Sequence, residues 1–287
     1  MFTTLISAHD LKAILSGPAA ADTLVFDCRH RLDNPSAGAQ MYHESHIPGA
    51  LFASLDRDLA IPATMNESGH SGRHPLPDET TWMRRLADWG VTPSTQVVVY
   101  DDSGGSIAAR MWWMVRAAGH TAVALLDGGL PAWLTAGGQL EPGVRQPKPV
   151  SSAYPGRFRA DWTVGMEQVR SESSKYVLVD ARAANRFRGD NETLDPKGGH
   201  IPGAVSIPYQ ENLNPDGTFR SAQELRARFE PLREAAGSSE IVSYCGSGVT
   251  ACHNLLAMEI AGTPTAKLFP GSWSAWSRTP GLPIETG

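Results

Sequence analysis

The chain has 287 residues, and at roughly 150 residues per domain that is length for two domains, each able to bury its own core, which excludes a small stapled module. The 25 Lys and Arg against 30 Asp and Glu leave a net charge of −5 with no basic run, so nucleic acid is not an expected partner. No apolar stretch approaches the ~20 residues that cross a bilayer, and Met1-Phe2-Thr3-Thr4-Leu5-Ile6-Ser7 lacks the charged start and apolar core of a signal peptide; a cytoplasmic chain off the membrane is expected, with monomer as the default.

In chain order, Leu24-Val25-Phe26-Asp27-Cys28-Arg29 reads as a short buried strand ending in Asp-x-Arg, and His46-Ile47-Pro48-Gly49-Ala50 as a turn feeding the next apolar run. A polar stretch from Asp56 to His74 follows. A Pro-Asp-Glu start then predicts a helix over Thr80 to Trp89, stopped at Gly90. Val97-Val98-Val99-Tyr100-Asp101 is a second strand, Ser106 to Ala118 a helix stopped at Gly119, and the run around Leu125 a third strand leading to Asp127-Gly128-Gly129-Leu130-Pro131-Ala132-Trp133. From Gln139 to Asp161 the chain carries Pro142, Pro147, Pro149 and Pro155 among Gly, Ser and Gln, the composition of an extended linker.

Beyond the linker the pattern repeats. Leu178-Val179-Asp180-Ala181-Arg182 again ends a run in Asp-x-Arg, and His200-Ile201-Pro202-Gly203-Ala204 repeats the earlier five residues letter for letter. Ser221-Ala222-Gln223-Glu224 is a capping box opening a helix. Ile241-Val242-Ser243-Tyr244-Cys245, a helix over Val249 to Ala261, the run around Leu268 and Pro270-Gly271-Ser272-Trp273-Ser274-Ala275-Trp276 complete the second copy. Four matches in one order predict two tandem α/β domains related by duplication, each a parallel sheet flanked by helices: residues 1–138, a linker over 139–161, and residues 162–287. His46 to Tyr100 is ten positions longer than His200 to Tyr244, and the excess falls in the Asp56–His74 stretch, a loop long enough to reach the other copy.

The duplication is its own control. After the central strand the first copy has Asp101-Asp102-Ser103-Gly104-Gly105-Ser106 and the second Cys245-Gly246-Ser247-Gly248-Val249-Thr250, so only the second has a nucleophile. A cysteine at a strand's carboxyl end, followed by small residues and a helix start, sits where converging amides and the helix dipole favour a thiolate. Cys28 and Cys252 lack that context and read as core residues. The His-Ile-Pro-Gly-Ala repeats read as architecture because both copies have them, and Trp112 and Trp113 as core. His70 and His74 have the spacing of a metal pair, but no cluster of further ligands completes a site, so no metal is expected.

Two copies of Asp-x-Arg and His-Ile-Pro-Gly-Ala, with a strand-end cysteine loop only in the second, resemble the tandem-domain rhodanese family of sulfurtransferases. Within it, Cys245-Gly246-Ser247-Gly248-Val249-Thr250-Ala251 is similar to the loop of 3-mercaptopyruvate sulfurtransferases, whereas thiosulfate-using rhodaneses carry Arg and Lys where Gly246 and Ser247 stand. The resemblance implies rhodanese-like domains, the first inactive because Asp101 replaces the cysteine, and a Cys245 persulfide passed to a thiol, cyanide or a thioredoxin-like acceptor, with no cofactor. It implies that the amides from Gly246 to Thr250 hold the sulfur anion, that the planar fork of Arg186 binds the donor carboxylate with Lys197 in place of a second arginine, and that Asp56 and His74 approach Ser247. Transfer from thiosulfate and a non-enzymatic sulfur-carrier or binding module are the alternatives. A cysteine phosphatase needs Cys-x5-Arg, and here that position is Ala251.

Overall fold

The computed structural model describes residues 1–62, 71–190, 192–263 and 266–287. They form two compact units: Met1–Ala60 with Pro77–Arg159 and Pro215–Thr218, and Ile61–Leu76 with Ala160–Asn214 and Phe219–Gly287. The division at Arg159 lies inside the stretch expected as linker. Ile61–Leu76, drawn from the extra loop of the first copy, groups with the second unit, so the units are not two uninterrupted halves of the chain.

The first unit contains β1 (Leu5–Ile6), α1 (Ala8–Leu15), β2 (Thr23–Asp27), α2 (Ala37–Glu44), β3 (Leu51–Phe52), α3 (Glu79–Asp88), β4 (Gln96–Tyr100), α4 (Ala108–Ala117), β5 (Val123–Leu126) and α5 (Gly129–Thr135). The second contains α6 (Met166–Ser171), β6 (Tyr176–Asp180), α7 (Ala184–Arg188), β7 (Val205–Ser206), α8 (Ala222–Ala236), β8 (Glu240–Tyr244), α9 (Ala251–Ala261), β9 (Lys267–Leu268) and α10 (Ser272–Trp276). The parallel strand orders are β1-β5-β4-β2-β3 and β7-β6-β8-β9. Both sheets therefore place their β2-like and β4-like strands side by side, and the chain winds outward in opposite directions from that pair. Ligand sites in such sheets lie beyond the carboxyl ends of the strands at this reversal.

The helices form where the sequence places them because their signals are local. Asp78 accepts from the Thr81 N–H at the head of α3, and Ser221 and Glu224 close a reciprocal capping box on α8. The helices after the central strands begin at Ala108 and Ala251, two residues later than the sequence pattern suggests. In the first unit Ile107, the residue before α4, turns its amide to Asp101 rather than along the helix.

The repeated motifs are load points of the core. Arg29 binds the Asp27 carboxylate and donates to the carbonyls of Met41 and Ser45, while Tyr100 donates its hydroxyl proton to Asp27 and accepts from the Ile47 N–H. Arg182 repeats this on Asp180 and the Gly199 carbonyl, and the Tyr244 hydroxyl accepts from the Ile201 N–H. Burial first, then the Asp180 charge, pushes the Tyr244 phenol well above its ordinary range, so it stays a proton donor. His46 and His200 hydrogen-bond through Nδ1 to the carbonyls of Tyr42 and Phe187. Asp-x-Arg and His-Ile-Pro-Gly-Ala thus form one buried network that joins β2 to β3 and β6 to β7 through the turn between them. Trp112 and Trp113 are buried, as read from sequence.

Candidate active site

Asp101, beyond the end of β4, shows what the strand-end loop does. Its carboxylate accepts four backbone hydrogen bonds: from Ser103 and Gly105 at 2.8 Å each, and from Ile107 and Ala108 at 2.8 and 2.9 Å. The loop is a ring of amides closing on one point, the donor array that stabilises an anion. In the second unit the same strand, loop and helix recur with Cys245 at the place of Asp101. Backbone bonds around the two positions match: Leu130 N–H donates to the Asp101 carbonyl at 2.9 Å and Trp273 N–H to the Cys245 carbonyl at 3.0 Å. Gly248 takes a φ of +77°, and a Cβ there would meet the Pro270 carbonyl oxygen at 2.5 Å, so this bend of the loop requires glycine.

Ser272 was not singled out by sequence reasoning, yet it anchors Cys245. Its Oγ accepts the Cys245 N–H at 3.1 Å and donates to the Phe269 carbonyl at 2.9 Å. Among the described residues it is the non-glycine with a positive φ, +51°, a conformation that costs an L-residue roughly 1–2 kcal/mol. The corresponding residue of the first copy is Gly129, at +57°. The signal was present in the sequence as the exchange of Gly129 for Ser272 between otherwise parallel motifs.

Ser247, next to this loop's centre, is buried with its Oγ 2.8 Å from Nδ1 of His74, which is buried too. His74 belongs to the segment that groups with the second unit, and that segment is tied down by the Arg73 N–H donating to Ser274 Oγ at 3.0 Å. Asp56 lies in the first unit, its carboxylate 3.7 Å from Nδ1 of His30. His70 lies outside the described residues. Among the described residues no group of three or more His, Cys, Asp or Glu is arranged to hold a metal.

Two guanidiniums flank the loop. A Cβ placed on Gly246 would lie 2.9 Å from Nη2 of Arg73 and 3.4 Å from Nη1 of Arg186. Arg186 was read as offering its fork to a donor; in the structure its Nε and Nη2 are closed on the Glu192 carboxylate at 3.0 and 2.9 Å, and Nη1 is the atom turned toward Gly246. The reason is local: Glu192 sits six residues on, held in place by the N–H groups of Leu194 and Asp195. Lys197 is exposed, and its carbonyl accepts from Trp273 Nε1 at 2.9 Å. The second cation beside Gly246 is Arg73, which sequence reasoning passed over although it read the adjacent His74 as approaching Ser247.

Behind these arginines lies Asp195, its side chain fully buried. It accepts from Arg73, from Arg186 at 3.3 Å and from Arg278 at 2.9 Å. Burial opposes ionisation of Glu192, but the amides of Leu194 and Asp195 and the Arg186 guanidinium outweigh it and hold the carboxyl below its ordinary range. Cys28 has the opposite setting. Burial, followed by the charges of Asp27, Asp101 and Asp58, drives its thiol well above the usual range and leaves it unreactive. Cys252, also buried, directs its Sγ to the Gly248 carbonyl at 3.5 Å.

Residues 7–136 and 167–279 each match the model of the rhodanese-like domain. The chain belongs to the rhodanese family. It is 45% identical over 290 residues to a Pseudomonas aeruginosa protein described as a "Probable 3-mercaptopyruvate sulfurtransferase", covering 99% of this chain and 98% of that one. It is 33% identical over 296 residues to the thiosulfate sulfurtransferase of Rattus norvegicus, covering 100% and 95%. The solved structure of 3-mercaptopyruvate sulfurtransferase from Leishmania major aligns with a TM-score of 0.82 at 28% identity, over 98% of this chain and 76% of that one. The rhodanese fold, two tandem α/β domains with parallel sheets, thus holds for this chain as its sequence repeats predicted.

Proposed function

We propose that this rhodanese-family chain moves sulfane sulfur from 3-mercaptopyruvate through a persulfide on Cys245 to an acceptor thiol, cyanide or a reduced thioredoxin-like protein. The observation that carries the reading is the replacement of Asp101, a carboxylate clasped by four amides, by Cys245 in the equivalent strand-end loop. A ring that holds a carboxylate suits a thiolate or a persulfide anion equally, and only the second copy presents a sulfur to it.

In this scheme the Cys245 thiolate attacks the donor sulfur and the carbon–sulfur bond breaks. The electron pair of that bond goes to carbon as the enolate of pyruvate. The proton of the donor thiol leaves the new persulfide and a proton arrives on the enolate carbon; Ser247, hydrogen-bonded to His74, is the relay for that transfer. The acceptor thiolate then attacks the outer sulfur and Cys245 leaves as thiolate, so no external oxidant or reductant enters. Arg186 Nη1 and Arg73 Nη2, beside Gly246, bind the donor carboxylate, and the loop amides from Gly246 to Thr250 hold the sulfur anion. The work takes place in the cytoplasm, and no helix among the described residues is long and apolar enough to cross a membrane.

Those same two guanidiniums favour a second reading, with thiosulfate as donor and sulfite as the leaving group. Mass spectrometry of the Cys245 peptide after separate exposure to each donor distinguishes them. Gain of one sulfur mainly from 3-mercaptopyruvate supports the first reading, faster loading from thiosulfate replaces it with the second, and loading from neither points to a binding module.

A further inference from the structure

The arginines at the loop are not free charges added to a neutral wall. Arg73, Arg186 and Arg278 all donate to Asp195, whose side chain is fully buried, and Arg186 is also paired with Glu192, whose side chain is 4% exposed. Among the described residues of this cluster, three guanidiniums against two carboxylates leave one positive charge. The neighbouring Arg182 is already matched by Asp180. Arg73 and Arg186 face Gly246, while Arg278 shares Asp195 Oδ1 with Arg73 and also donates to the Ser274 carbonyl.

A buried charge next to a donor site acts on every ligand in proportion to the ligand's own charge, and low surrounding polarisability makes that action strong. 3-Mercaptopyruvate carries one negative charge at neutral pH and thiosulfate carries two. A site with one residual positive charge compensates the first fully and the second by half. Loop side chains are not the whole of donor choice, since Gly246 and Ser247 carry no charge and the two cations over them are partly neutralised from behind.

We propose that Asp195 determines donor specificity: by cancelling one guanidinium of the Arg73–Arg186–Arg278 cluster it tunes the site to a singly charged donor over a dianion. The inference rests on the sulfurtransferase reading above. Asp195 acts through Arg73 and Arg186 and is a positioning and charge-setting residue, with no contact to the reacting sulfur required.

The test compares kcat/KM for 3-mercaptopyruvate and thiosulfate in the full chain and in two variants of opposite sign. Asp195→Asn keeps the shape and one acceptor oxygen but raises the cluster charge by one; Arg278→Gln lowers it by one while leaving in place the two guanidiniums that face Gly246. The thiosulfate-to-mercaptopyruvate ratio rises at least tenfold in Asp195→Asn and falls several-fold in Arg278→Gln. Added salt erodes the gain in the first variant, because the extra term is electrostatic. A ratio that stays within twofold of the parent in either folded variant, or that moves in the same direction in both, overturns the proposal. If Asp195→Asn does not fold, Arg278→Gln decides. Failure of the parent chain to load sulfur from either donor instead removes the sulfurtransferase reading, so the two failures are distinguishable.

Discussion

His74 Nδ1 and Ser247 Oγ meet at 2.8 Å, both side chains buried, although 173 positions separate them in the chain. A hydroxyl so held is fixed in place against an imidazole, which in the proposed scheme fits the pair to relay a proton at Cys245. Ser247→Ala and His74→Ala are each expected to lower kcat with 3-mercaptopyruvate by about a hundredfold. The double variant is expected to be no worse than the poorer single one, because the pair acts as a unit. Steady-state pyruvate release measures this, and fully additive losses would separate the two roles.

The three cysteines are all buried, so exposure does not rank them; their surroundings do. Cys245→Ser is expected to abolish sulfur transfer, whereas Cys252→Ser and Cys28→Ser retain it within a few-fold. Peptide mass spectrometry of each variant after donor treatment reads the site of the added sulfur directly. Appreciable transfer by the first variant would remove the persulfide scheme.

In the first unit the amide ring is filled by Asp101 and is therefore structural. Asp101→Ala leaves four inward-facing N–H groups without their acceptor, and the expected loss is about 3 kcal/mol of stability. Asp101→Asn, which keeps one acceptor oxygen, costs about 1 kcal/mol. Urea denaturation of the two variants gives the order; equal stabilities would mean that water replaces the carboxylate without penalty.

Glu192 gives the fold a contribution that acid removes. Its carboxyl lies below the ordinary range in the folded chain, so the ionised form stabilises the fold. That contribution is complete above the unfolded value of about 4.3 and is lost as the pH falls from there through the lower folded value. Glu192→Gln is therefore expected to be less stable than the parent at neutral pH, with the difference shrinking below about pH 4. Denaturant midpoints across pH 3 to 7 measure it, and a gap independent of pH would assign the effect to packing.

The α/β class, the duplication and the strand ends were legible in the chain because each depends on neighbours in sequence or on comparing one copy with the other, and the same comparison singles out Cys245 as the proposed nucleophile. Apolar runs of strand length, the capping pair Ser221 and Glu224, and the exchange of Asp101 for Cys245 are local facts. The architectural role of the His-Ile-Pro-Gly-Ala repeats followed from their presence in both copies, and the buried hydrogen bonds to Tyr100 and Tyr244 supply its physical form.

What only tertiary structure decided are the partners that distance along the chain conceals. Arg73 and Arg278 converge with Arg186 on Asp195 from three separate segments, and no periodicity links them. The fork of Arg186 looked available for a donor until folding set Glu192 against it, because a charge buried beside a guanidinium binds it more tightly than solvent does. Ser272 could be seen to replace Gly129, but that its hydroxyl holds the Cys245 amide at a strained φ emerges only when α10 packs beneath the loop. Sequence determined which groups this protein has to work with; the fold determined which of them face one another, since side chains far apart in the chain interact only where the sheet brings their strand ends together.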